Sequence, residues 1–270
     1  MNPTSALPWR TLLQMTRPGF LVITAVACVL GTVVAAACGH GPNMWTALAT
    51  LVLAVLMHAA ANVINDYHDA LNGADDANTQ GLFPFTGGAR LIQNGHVSVQ
   101  DTHDLAKALF VFLIPCGALL AVKAGGGLVV VGADYVQRGQ FFVIPVAVAL
   151  SFALLVGNIL VINGFPDAVA DAQVGKRTLV VRLGTRRVAW LYLLVALLAH
   201  AWLAAGVWLF IHPEPALWGL VSMPLSVWAF VLLFKNANQS TRLAPAIVLT
   251  IAAAVVHGLA MSTGLLTLIF

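Results

Sequence analysis

Seven apolar stretches recur along the chain, at residues 19–38, 44–68, 104–122, 140–163, 188–211, 216–234 and 243–266. Each approaches or exceeds the roughly 20 residues that a helix needs to cross about 30 Å of hydrocarbon. None has the period-two alternation of a membrane β-barrel strand. The pattern predicts an all-α polytopic membrane protein, a single transmembrane domain over residues 1–270 with seven full spans. An eighth piece, Gly125–Gln137, is too short to cross and carries Asp134. It is expected as a half-helix or re-entrant segment, which is tolerated where it packs against protein instead of lipid. The first stretch follows Arg10 and Arg17 but has no convincing signal-peptidase site, so it is expected to be retained as a span.

The polar segments between the stretches set the orientation. With the N-terminus in the cytoplasm, Arg10, Arg17, Arg90, Lys107, Lys176, Arg177, Arg182, Arg186, Arg187, Lys235 and Arg242 fall on the cytoplasmic side. Only Lys123 and Arg138 fall outside, and this asymmetry is the positive-inside bias. The expected location is therefore a bacterial-type inner membrane. Eight of the ten acids share that cytoplasmic side, in clusters that separate spans could bring together.

Composition agrees. Sixty per cent of the 270 residues are hydrophobic and 9% are charged, against about 25% charged in a soluble domain. The net charge of +3 is not gathered on a soluble face, which argues against nucleic acid as a partner. Cys28, Cys38 and Cys116 form no CxxC pair, so neither a zinc site nor a disulfide framework is indicated.

The second stretch ends in Asn62, Asn65, Asp66, His68 and Asp69, followed by Asn72, Gly73, Asp75 and Asp76. If the helix continues to Asp69, Asn65 and Asp69 share one face, and Asn62 and Asp66 form a second i, i+4 pair. Four carboxylates within eleven residues repel one another unless a cation is present. An all-oxygen donor set suits Mg²⁺, which binds through one or two carboxylates plus substrate phosphates. Asp75 and Asp76 are expected in the loop beyond Gly73, and His68 as a polar interface residue without a second His at ligand spacing. Downstream, Pro84-Phe85-Thr86-Gly87-Gly88-Ala89-Arg90 offers glycines for close backbone approach and an arginine suited to phosphate.

A second acidic cluster closes the fourth stretch. Asp167 and Asp171 are again four apart, with Lys176 and Arg177 supplying cations where phosphate oxygens would sit. Pro166, just before Asp167, predicts the start of a new short helix, with Gly164 allowing the turn. Two acidic clusters at cytoplasmic helix ends, the second followed by Lys-Arg, point to a Mg²⁺-diphosphate site.

These residues resemble the UbiA superfamily of intramembrane prenyltransferases. Asn65-Asp66-Tyr67-His68-Asp69 is similar to the first family motif. Asp167, Asp171 and Gly175-Lys176-Arg177-Thr178-Leu179-Val180-Val181-Arg182-Leu183-Gly184 are similar to the second, and Arg17-Pro18 also looks like the family. The family's last Asp of the first motif would fall at Gly73, with acids displaced to Asp75 and Asp76. That shift, with Gly87-Gly88-Ala89-Arg90 and Gly95, resembles the dihydroxynaphthoate prenyltransferase branch. The family has nine spans, and about one and a half helices are wanting near Lys123–Gly126.

The resemblance implies Mg²⁺-dependent transfer of a polyprenyl group from its diphosphate to an aromatic acceptor in quinone biosynthesis, with no protein partner evident. Asp66, Asp69, Asp167 and Asp171 would be catalytic. These four with Asn65 and Asp75 would hold metal, and Asn65, Arg90, Lys176 and Arg177 would bind diphosphate. A truncated inactive relative that binds isoprenoid diphosphate is the alternative made credible by the gap. A transporter is the non-enzymatic one, and a CDP-alcohol phosphotransferase is disfavoured because its acids form one continuous run.

Overall fold

The computed structural model describes residues 7–79, 81–83, 85–86, 88–124, 129–139 and 142–269. A short helix α1 (Trp9–Met15) leads through Arg17, held in the left-handed region at φ 51°, into α2 (Pro18–Ala37). The first position of α2 is proline, whose missing N–H would have no helical partner there anyway. α3 (Met44–Asn72) opens with the Asn43 side chain accepting from the Trp45 and Thr46 amides. It closes on Gly73 at φ 74°, the left-handed cap that favours glycine. The single turn α4 (Ala74–Ala77) follows at once. Then come α5 (Val99–Ala124), α6 (Val129–Arg138), α7 (Val143–Gln173), the short α8 (Leu179–Leu183) and α9 (Thr185–Trp208). A 3₁₀ segment, Glu214–Ser222, runs directly into α10 (Met223–Asn236), and α11 (Ala244–Leu266) ends the bundle.

No strand occurs among the described residues. The seven expected spans correspond to α2, α3, α5, α7, α9, the 3₁₀ segment with α10, and α11. Six of these, all but α5, are long and apolar enough to cross a membrane, and the chain is an integral membrane protein. Leu160, Leu194, Trp228 and Val248 lie exposed on the helices, as residues facing lipid would be.

Three apolar clusters hold the described bundle, the smallest built on Met15, Val63, Val97 and Ala106. Leu30, Val34, Val148, Phe152, Leu203 and Met261 join α2, α7, α9 and α11 at one level. Ile162, Phe165, Val180, Tyr192, Leu233 and Ile247 join α7, α8, α9, α10 and α11 nearer the carboxylate end. Apolar packing alone distinguishes poorly between helix faces in lipid, where interhelical hydrogen bonds add direction. A buried chain supplies it: Ser151 Oγ lies 3.1 Å from His257 Nε2, and Ser222 Oγ lies 3.1 Å from His257 Nδ1 and 2.9 Å from His200 Nε2.

Three expectations need correction or narrowing. Pro166 does not begin a helix; it lies inside α7, which continues through Gly164-Phe165-Pro166 to Gln173. Phe165 and Pro166 are buried, so tertiary packing holds the proline within the helix despite the hydrogen bond it removes. Asp75 and Asp76 are not in a loop but on α4, where Asp75 is buried and Asp76 exposed. Of the predicted half-helix, Gly125–Leu128 lies outside the described residues; Val129–Arg138 is helical, packs on α2 and pairs Asp134 with Arg138 at 2.7 Å.

Candidate active site

α3 is 29 residues long and α7 is 31, several turns more than a crossing requires. Their C-terminal turns carry the two acidic clusters, and the fold brings those turns together. Asp69, Asp75, Asp167 and Asp171 line one cleft of about 110 Å³ with Arg17, Asn65, Asn78, Asn163 and Lys176. Lys176 joins the clusters: its Nζ lies 2.8 Å from Asp69 on α3 and 3.9 Å from Asp171 on α7. Asn65 donates to Asp69 at 2.8 Å, so the predicted i, i+4 pairing is real. Asp66 faces the other side of α3's end, where it pairs with Arg17 and accepts from the Ala89 amide at 3.2 Å.

The loop after α4 closes the site from above. Asn78 donates to Asp167 at 2.6 Å. Gly88, at φ 74°, sits so close that a Cβ there would lie 2.5 Å from Asp75 Oδ2 and 3.3 Å from Arg17 Nη2, so a side chain would strain the backbone and displace the Asp75 carboxylate. Arg90, expected to face phosphate, instead donates through Nη1 to the carbonyls of Asp75 at 2.6 Å and Asn78 at 3.1 Å. Its guanidinium rests 4.8 Å from the Phe83 ring centroid. Arg90 thus clamps α4 against the site from behind. Arg177 is exposed and does not line the cleft. His68 is exposed beside Tyr67, away from the carboxylates. Pro84 and Gly87 lie outside the described residues.

Charge is far from balanced. Five carboxylates, Asp66, Asp69, Asp75, Asp167 and Asp171, face two cations, Arg17 and Lys176. Burial and the neighbouring charges of Asp66 and Asp69 push Asp75 up to about 7, against the pull of Arg17. Burial lowers Lys176, but its hydrogen bond to Asp69 and the charges of Asp69, Asp171 and Asp167 outweigh that and hold it above the usual lysine range. Among the described residues no three His, Cys, Asp or Glu side chains already converge as a metal cage. Asp66, Asp69 and Asp171 pair with protein cations instead, and Asp167 accepts from Asn78. The donor set still fits a divalent cation: it is all oxygen, carries excess negative charge, and includes the buried Asn163 Oδ1 with no hydrogen-bond partner.

Sequence reasoning missed Arg17, Asn78 and Asn163 as site residues. Arg17 was visible only as a basic residue at the start of a span and as part of an Arg-Pro pair. Asn78 and Asn163 carry no local signal, because only the meeting of α4 with α7 gives them a role.

A second cleft of about 440 Å³ adjoins the first. It is lined by Gln14, Phe20, Leu91, Asn94, His96 and Ile251 among others, and it shares Arg17 and Phe85 with the carboxylate cleft.

The UbiA prenyltransferase family profile matches residues 118–253. The 1,4-dihydroxy-2-naphthoate octaprenyltransferase of Mycobacterium tuberculosis is 30% identical over 241 residues, covering 76% of this chain and 80% of that protein. Its namesake in Mycobacterium leprae is 30% identical over 68% of this chain and 76% of that protein. The Escherichia coli protein of the same name is 28% identical over 64% and 68%. With two acidic helix ends meeting at one end of a membrane bundle, this chain is a prenyltransferase and belongs to the UbiA prenyltransferase family.

Proposed function

We propose that this enzyme transfers a polyprenyl group from polyprenyl diphosphate to an aromatic acid of the dihydroxynaphthoate type, in quinone biosynthesis, with Mg²⁺ as cofactor. One observation carries the reading: carboxylates from two segments about a hundred residues apart line a single cleft with Lys176 and Arg17, at the end of an apolar bundle. The names of the relatives support the acceptor class. The whole chain acts as one transmembrane domain, with the N-terminus and the carboxylate cleft on the cytoplasmic side.

Asn65, Asp69, Asp75, Asp167 and Asp171 would hold the metal from the cleft, and Asp66 from the adjoining face where Arg17 pairs with it. Held there, Mg²⁺ would supply the charge neutralisation that makes the diphosphate a better leaving group. Lys176, with Arg177 from the rim and Arg17 from α2's start, provides cations for the remaining phosphate charge, strongest where charge develops on the leaving oxygen. The allylic C–O bond breaks with its electron pair leaving on the diphosphate, and an electron-rich ring carbon supplies the pair for the new C–C bond. On a dihydroxynaphthoate ring the carboxylate departs as CO₂. Asn78 orients Asp167, and Arg90 acts through α4 by holding Asp75 and Asn78 in place.

Asp69→Ala or Asp171→Ala is expected to abolish Mg²⁺-dependent transfer from radiolabelled polyprenyl diphosphate while the protein remains folded in membranes. Full turnover in either variant would refute the assignment.

A further inference from the structure

We propose that a third cleft, between the end of α7, the start of α9 and the turn from α10 to α11, binds the phosphate headgroup of an anionic phospholipid. The lipid comes from the leaflet at the carboxylate end of the bundle. The cleft lies on another face of α7 from Asp167 and Asp171, and the inference stands without the function proposed above.

Three observations carry it. The first is the cleft itself. It holds about 370 Å³, within the range usual for small-molecule sites. Gln173, Thr185, Asn238 and Ser240 line it with amides and hydroxyls, over Phe165 and Val169, and no charged side chain is among the lining. Thr185 Oγ1 donates to Asn238 at 2.7 Å, which ties the turn to the start of α9. The second is charge. Beyond Asp171 the sequence holds one further acid, Glu214, at the opposite end of α9. Arg186, Arg187, Lys235 and Arg242 flank the lining residues, all exposed, and among the described residues none of them joins an ion pair. No side chain caps the N-terminus of α9, so its partial positive charge adds to theirs. A neutral cleft flanked by cations without counter-charges suits an anion with phosphate oxygens. The third is depth. Trp190, one turn after Arg186 on α9 and 53% exposed, meets Phe230 and Phe234 of α10 with centroids 5.3 and 5.4 Å away. The Arg186 guanidinium rests 5.8 Å from the Phe234 ring centroid. Exposed tryptophan marks the headgroup level of a bilayer. Cations one turn beyond it therefore stand at the depth of the lipid phosphates. A water-soluble phosphate has no use for this apolar flank, whereas an acyl chain would run along Trp190.

The site also borders the carboxylates. Asn78 lines this cleft too, and its amide donates to Asp167 at 2.6 Å. A headgroup seated here lies one side chain away from that carboxylate.

Native mass spectrometry of the purified, delipidated protein tests the site, with phosphatidylglycerol and phosphatidylcholine titrated separately. The first phosphatidylglycerol should bind about tenfold or more tighter than phosphatidylcholine. Combining Arg186→Gln, Lys235→Gln and Arg242→Gln should remove that preference and leave phosphatidylcholine within about twofold. Val169→Glu, at a wall position that is 70% exposed, should weaken phosphatidylglycerol alone by repulsion, and it keeps the test open should the triple variant fail to fold. Arg10→Gln, on α1 and outside the lining, should leave both lipids within about twofold. A preference that survives in either folded cleft variant overturns the site. An equal loss in Arg10→Gln overturns it as well, because general attraction to the basic end would then explain the binding. Displacement of the lipid by equimolar inorganic phosphate also overturns it, by giving the cleft to a soluble anion.

Discussion

Asp75 is the residue whose environment is most out of keeping with its chemistry. Buried on α4 beside Asp66 and Asp69, it keeps its proton in the folded protein to about pH 7, against an ordinary value of 3.8. A folded state that binds the extra proton is favoured below the unfolded value. The advantage is lost as pH rises from about 4 towards 7. In metal-free detergent solution with chelator, the thermal midpoint should therefore fall over that range. Asp75→Asn should flatten the decline, matching the parent at pH 4 and exceeding it at pH 8. Added Mg²⁺ should reverse the order at pH 8 by stabilising the parent more than the variant. An identical pH slope in the two proteins would remove Asp75 from the charge cluster. Residues such as Asp69, Asp171 and Lys176 were legible because their spacing on helix ends and their chemistry agree. Arg17, Asn78 and the clamp made by Arg90 were not, because each acts on a partner distant in sequence. For Arg90, a phosphate-seeking guanidinium and a carbonyl-seeking one look the same in one dimension.

At the scale of elements, the reversal at Gly73 decides where α4 goes. The left-handed conformation at φ 74° turns the chain directly from α3 into the turn that carries Asp75. Nothing crowds a Cβ at Gly73, so Gly73→Ala should cost only the backbone penalty, about 1 kcal/mol. Mg²⁺-dependent diphosphate binding should weaken by more than that loss of stability explains, because α4 must tilt to relieve the strain. Titration calorimetry beside thermal melts separates the two. The apolar core of each span was readable, since apolar length is a strong constraint in a bilayer, but α5 begins earlier, at Val99, and α7 runs on past residue 163 to Gln173. The break at Pro166 was misplaced for a physical reason: local rules end a helix at proline, whereas burial of Phe165 and Pro166 in the bundle keeps α7 running. That continuity puts Asp167 and Asp171 on the same rigid rod as Val148 and Phe152 in the core.

For the whole molecule, the charge asymmetry of the loops predicts which end faces the cytoplasm. In a variant lacking Cys28, Cys38 and Cys116, a single cysteine at Gln239 should react with a membrane-impermeant maleimide only after cells are opened. One at Gly41 should react in intact cells. The reverse pattern would place the active site outside. At the same scale, Lys176 reaches across 107 positions of chain to hold Asp69. The chain thus supplies a tethered ammonium of its own to Asp69, a carboxylate for which a metal ion would compete. A lone Mg²⁺ would have to compete with it for Asp69. When the pyrophosphate arrives with the ion, the displaced ammonium gains a new anionic partner. Metal and prenyl donor should each tighten the other's binding by the same factor, as reciprocity between linked ligands demands.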